Sequence, residues 1–133
     1  MPLTHKVLKD QRLVLIIGSD VVLADDIIAN RQGLVNDPDF NRAFDALVDF
    51  TRVPDASLDL DSIRSLSREP LFSPASKIAV VIALSGSEAL FAIAQRYETY
   101  REVSAMGDRL RVFRTFEQAR EWLGLTCSLP GTA

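Results

Sequence analysis

The run Lys77-Ile78-Ala79-Val80-Val81-Ile82-Ala83-Leu84 decides how the rest of the chain is read. It shows no alternation of polar and apolar residues. A strand wet on one face alternates, so this run predicts a strand covered on both faces, as in the middle of an α/β sheet. Its β-branched residues, and a length short for a helix, favour strand over helix. Pro74 precedes it. Ser85-Gly86-Ser87-Glu88 follows it, and the Ser85-x-x-Glu88 spacing is that of a capping box opening a helix.

Moving outward towards the C-terminus, Leu90, Phe91, Ala94 and Tyr97 recur on one face of that helix. Arg109-Leu110-Arg111-Val112-Phe113-Arg114 alternates, as a strand nearer a sheet edge does. Thr115-x-x-Gln118 is a second capping box, opening a last helix with Phe116, Ala119, Trp122 and Leu123 inward and Gly124 as its C-cap. Residues 126–133 read as a C-terminal tail.

Moving outward towards the N-terminus, residues 43–50 predict a strand with Phe44, Ala46 and Val48 on one face and Asp45, Leu47 and Asp49 on the other. A loop around Pro54 leads from it to a helix capped by Ser57 or Asp59, with Leu60, Ile63 and Leu66 or Ser67 inward and Pro70 limiting its length. Residues 6–9 and 12–17 are close enough to form an antiparallel hairpin about Asp10-Gln11. Between that hairpin and Asn36-Asp37-Pro38 lies a helix with Ile27, Ile28, Arg31, Leu34 and Val35 on the inward face, and Asp25, Asp26, Asn30 and Gln32 opposite. The sum is one α/β domain over residues 1–125. It has a mixed five-stranded sheet, an N-terminal hairpin followed by three parallel strands, and four helices.

Composition narrows the function classes. At 133 residues, with 47% hydrophobic and 25% charged residues, the chain is ordinary for a globular domain. The formal net charge is −3, and no basic stripe carries interleaved aromatics, so nucleic acid is not an expected partner. No apolar run approaches a bilayer span, and the first residues lack the apolar core of a secretory signal. The expectation is a cytoplasmic protein that is not an integral membrane protein. The single cysteine, Cys127, excludes an intrachain disulfide.

Several stretches, taken in order, resemble bacterial stand-alone STAS-like proteins, the SpoIIAA-like (anti-sigma-factor-antagonist-like) group. They are Asp37-Pro38-Asp39-Phe40 before a strand, Leu47-Val48-Asp49-Phe50 closing it, and Ser57-Leu58-Asp59 opening the second helix. Ile78 to Leu84, Phe91 to Tyr97, Val112-Phe113-Arg114 and Glu117-x-x-Arg120-Glu121-Trp122-Leu123 complete the match. The resemblance implies a STAS-type fold, shared with lipid-carrier domains of the CRAL-TRIO type. Regulatory members carry a phosphorylatable serine at the start of the helix after the third strand. Ser62 is the nearest counterpart here, followed by Ile63 where that pattern has another serine and a glycine.

Three kinds of site are weighed. At the helix start, Ser57, Asp59, Asp61 and Ser62 offer an N-terminus that favours a phosphate, yet the two aspartates would repel it, and Ser and Asp are ordinary N-caps. Beyond the carboxyl ends of the parallel strands lie Thr51 and Arg52, then Ser85, Gly86 and Ser87, then Arg114 and Thr115. Open α/β sheets bind ligands there, and the two arginines suit an anion; capping boxes and solvated arginines are the alternative. Phe72, Phe91, Tyr97, Tyr100 and Trp122 could line an apolar slot, although aromatic residues at helical spacing more often build core.

Catalysis finds little support. His5 is the only histidine, and Cys127 has no evident activating neighbour. Asp45 and Asp49 stand roughly 13 Å apart along a strand, too far for a coupled pair. No cluster has metal-ligand spacing and no cofactor motif occurs. The expected function is a non-enzymatic interaction or regulatory module with an unidentified protein partner, a homodimer through the third helix being a further expectation. The alternative is a small carrier of an apolar or anionic molecule, lipids included.

Overall fold

A computed structural model of the chain describes residues 3–54, 56–57, 61, 71–73, 75–82, 88–104 and 109–125, with backbone alone at 56–57, 89 and 100–104. The element order is β1 (Leu3–Leu8), a 3-10 turn (Lys9–Gln11), β2 (Leu13–Gly18), β3 (Val22–Leu23), α1 (Ala24–Val35), β4 (Asp45–Asp49) and β5 (Ala56–Ser57). It continues with β6 (Lys77–Val81), α2 (Glu88–Ser104), β7 (Arg109–Phe113) and α3 (Phe116–Leu123).

The main sheet has the order β1-β2-β4-β6-β7. β1 runs antiparallel to β2, and every later pairing is parallel. The run that opened the reading therefore lies inside the sheet, between β4 and β7. Ile78, Val80 and Ile82 point to one face and Ala79 and Val81 to the other, all at 8% exposure or less. The strand closes at Val81, short of the expected Leu84, while the Ile82 N–H still donates to the Phe113 carbonyl at 3.0 Å. Residues 83–84 lie outside the described residues, as does most of the expected second helix. Three α-helices stand among the described residues.

Sequential strands lie side by side, so each parallel connection steps the sheet in the same direction. Right-handed connections of that kind all fall on one face. α1 and α2 accordingly share a face, with Leu34 and Leu90 buried against Val14, Ile16, Val48, Ile78 and Val80. α3 has no later strand to rejoin and turns to the opposite face, where Ala119 and Leu123 pack on Leu13, Leu15, Leu47, Ala79 and Val81.

Local chemistry fixes the corners. The hairpin passes through Arg12 in the left-handed region (φ 52°), with its guanidinium carbon 5.4 Å from the centre of the Phe44 ring. Gly18 is a close approach: a Cβ there would lie 2.6 Å from Val53 Cγ2 and 2.9 Å from Phe50 Cδ1. Thr115 caps α3 by accepting from the Gln118 N–H (3.3 Å), and Gly124 closes it at φ 75°. Both were expected.

The first helix departs from expectation in its facing. Its inward stripe is Ile27, Asn30, Arg31 and Leu34, whereas Ile28 (46% exposed) and Val35 (62%) face outward. Residues 27, 30, 31 and 34 follow the i, i+3, i+4, i+7 spacing of one helix face as well as the expected set does. Composition alone chose the more apolar set. Asp26, expected to be solvated, accepts from the Leu23 N–H at 2.8 Å and caps the helix start. Residues 22–23 and 56–57, read as connections, pair in parallel as a second small sheet, β3 with β5.

Candidate functional site

The face under α1 and α2 is incompletely filled. A cavity of about 170 Å³ lies between the sheet and the two helices. Ile16, Val48, Ile78 and Val80 form its floor, one contribution from β2, one from β4 and two from β6. Ile27 and Leu34 of α1 face Leu90, Ile93 and Ala94 of α2 across it, and Phe50 and Phe72 also line it. Phe72 is buried and meets Phe40 edge-to-face at 5.5 Å, which fixes its ring. The scale is informative: an engineered apolar cavity of about 150 Å³ stays dry and takes up benzene.

Among the described lining residues, three carry polar side chains. Asn30 and Arg31 of α1 and Tyr97 of α2 belong to its lining, and the Arg31 guanidinium donates to the Tyr97 hydroxyl at 3.2 Å. That bond ties the two helices to each other over the sheet. Arg31 is the charged side chain among the described lining residues, and it is only partly exposed. The position of α1 itself is held by His5 on the edge strand, whose Nε2 lies 3.2 Å from Asp37 Oδ2 just past the helix end.

The residues expected at the strand ends do not line this cavity. Asp49, buried at the end of β4, accepts from both the Thr51 N–H (3.0 Å) and the Thr51 hydroxyl (2.6 Å), as expected of an aspartate there. Thr51 is thereby committed to a local turn, and Arg52 is exposed. Arg114 follows β7, with its guanidinium carbon 3.8 Å from the centre of the Phe91 ring. β6 lies between β4 and β7, so the two arginines leave strand ends roughly 10 Å apart. Ser85, Gly86, Ser87 and Ser62 lie outside the described residues.

Of the aromatic residues expected to line a slot, Phe72 and Tyr97 do so. Phe91 packs against the same core and lies under Arg114, and Trp122 is on the opposite face beside Phe113. The side chain of Tyr100 is outside the described residues. Asn30, placed by sequence on the face opposite the inward one, is the polar lining residue that the sequence reading missed. Its residue type groups it with the polar face of the helix, and nothing in the local pattern marks it as turning inward.

Among the described residues, no group of three or more His, Cys, Asp or Glu side chains is placed to hold a metal ion. No helix among them is long and apolar enough to cross a membrane. Compared with family models, with curated proteins and with solved structures, the chain has no match.

Proposed function

We propose that the chain is a non-enzymatic binding module of the STAS-like type that holds a small, mainly apolar molecule between its sheet and the helices α1 and α2. The cavity of about 170 Å³ carries this reading. Close packing is the rule for protein interiors, and voids larger than a water are few. An apolar void of this size forgoes dispersion contacts on every wall, which an apolar guest restores. A cytoplasmic carrier or sensor of such a molecule, acting through an unidentified protein partner, accords with the resemblance and with the absence of a catalytic pattern in the sequence.

Toluene titrated into the full chain tests the reading. Saturable shifts of the backbone amides of Ile27, Leu34 and Ala94 are expected in NMR spectra, and Ala94→Leu, which fills the space, should abolish them. Toluene saturation without shifts at those residues would sink the proposal.

A second reading, a protein-interaction module, is favoured by one observation. Ile28 and Val35 lie on one outward stripe of α1, and Val21 and Leu23, just before the helix, are exposed as well. Ile28→Glu with Val35→Glu should then remove a partner captured by the unaltered chain, while toluene binding persists.

A further inference from the structure

We propose that β7 is a docking edge for an extended acidic segment of another protein. The segment would add to the main sheet as a further strand, displacing the Glu98 carboxylate from the Val112 N–H. This surface is separate from the cavity, and the inference does not depend on the cavity being a ligand site.

The backbone shows which groups are on offer. Among the described residues β7 is the outermost strand of the main sheet, with β6 on its inner side. The Arg109 N–H donates to the Ser76 carbonyl at 2.8 Å, and the Phe113 carbonyl accepts from the Ile82 N–H at 3.0 Å, so the odd-numbered residues bond towards β6. Backbone groups alternate in direction along a strand, so Leu110 and Val112 turn their N–H and C=O away from it. At Val112 that outward N–H is already taken: Glu98 of α2 accepts from it at 2.9 Å in a partly buried contact. A carboxylate oxygen thus stands where the carbonyl of a neighbouring strand would stand. A strand edge with outward N–H and C=O groups is the template on which extended peptides add.

Charge decides what kind of segment fits. Arg109 and Arg111 lie on one face of β7, two residues apart, and both are exposed. Neither makes an ion pair among the described residues, and Arg111 lies 5.7 Å from the centre of the Trp122 ring. Lys77, the register partner of Arg109, is a third cation on that face. Its N–H donates to Asp45 Oδ1 and its ammonium to the Trp122 carbonyl. The chain as a whole carries −3, so this cationic row runs against its average. Like charges on directly opposed strand residues repel, and opposite charges attract. A second copy paired edge to edge through β7 would set one arginine row against the other, which is how edge cations block self-association. The same cations favour a strand whose alternate residues are Glu or Asp. Glu121 lines an open groove with Phe113 and Trp122, so the acidic residues belong at the Arg109 end of the edge and not at the Phe113 end.

A blocked peptide of alternating glutamate and threonine, and its lysine counterpart, titrated into the full chain by calorimetry and NMR, test the assignment. The glutamate peptide is expected to bind about tenfold tighter than the lysine peptide. The Leu110 and Val112 amides should shift, and hydrogen exchange at Leu110 should slow. Arg109→Glu with Arg111→Glu, both at exposed positions, should reverse the preference. Glu98→Ala should tighten binding of the glutamate peptide a few fold by removing the competing acceptor, and Glu98→Gln, which keeps an acceptor there, should do so less. Failure of the glutamate peptide to bind either the unaltered chain or Glu98→Ala would overturn the docking edge. So would binding that leaves Leu110 exchange unchanged, or a preference that survives the charge reversal. Unchanged affinity in Glu98→Ala would overturn the displacement of Glu98.

Discussion

The two faces of the sheet are covered in opposite ways. Among the described residues one face carries two helices, α1 of 12 residues and α2 of 17, and still leaves a cavity. The other carries α3, of 8 residues, yet Leu13, Leu15, Leu47, Ala79 and Val81 beneath it are at most 1% exposed. More helix has not meant tighter packing. On the α3 side, small residues (Ala79 below, Ala119 above) let the helix approach, and Phe113, Phe116 and Trp122 fill its margins. The Lys77 ammonium donates to the Trp122 carbonyl at 3.2 Å, and both Lys77 and Arg111 lie 5.7 Å from the ring centre, so long cationic side chains cover one side of the Trp122 ring. On the other side, α1 and α2 meet through the tips of two long polar side chains, Arg31 and Tyr97. A bridge built from tips leaves space beneath it.

That contrast predicts unequal costs for the same substitution. Leu47→Ala, in the filled layer, should cost about 3–5 kcal/mol, because the site is enclosed and cannot collapse. Leu90→Ala, on the cavity wall, should cost about 2–3 kcal/mol, because part of that side chain already faces a void. Urea unfolding of the two variants measures the difference. Equal losses would mean that the faces are packed alike.

A sharper contrast comes from adding volume, where the sign should reverse. Ala79→Leu overpacks the filled layer and should destabilise by about 1–3 kcal/mol. Ala94→Leu extends into the cavity and should stabilise by about 0.5–2 kcal/mol, with a raised Tm. A loss of stability at both positions would show that the void under α1 and α2 is not available to a side chain.

The smallest effect concerns the anchoring of α3, on which the filled face depends. Thr115→Ala removes the acceptor for the Gln118 N–H and should cost about 0.5–1 kcal/mol, the low end of the N-cap range given a 3.3 Å bond. Amide exchange should quicken in α3 and stay unchanged in α1. Equal quickening in both helices would mean that the faces are not independently held.

The sheet was readable because its strands announce themselves by local pattern. The run at 77–84, without polar alternation, favoured an interior strand, which the structure shows over Lys77–Val81, and the short link Asp10-Gln11 suited a hairpin. The Thr115 and Gly124 caps were equally legible, since a cap is a contact within one turn of the chain. The inward placing of Arg31 and Tyr97 was also in the pattern, though not their meeting, which joins residues 66 positions apart. Asn30 was not legible at all. Helical spacing fits the stripe 27-30-31-34 and the stripe 27-28-31-34-35 comparably, and hydropathy pointed to the second.

What the amino-acid order determined by itself is the mixed five-stranded sheet, three of the helices and the identity of its buried strand, because these follow from periodicity, β-branching and capping over a few neighbouring residues. What only the tertiary structure decided is how far each helix stands from the sheet. That distance depends on which side chains meet between elements remote in sequence, and here it separates a filled layer under α3 from an open one under α1 and α2.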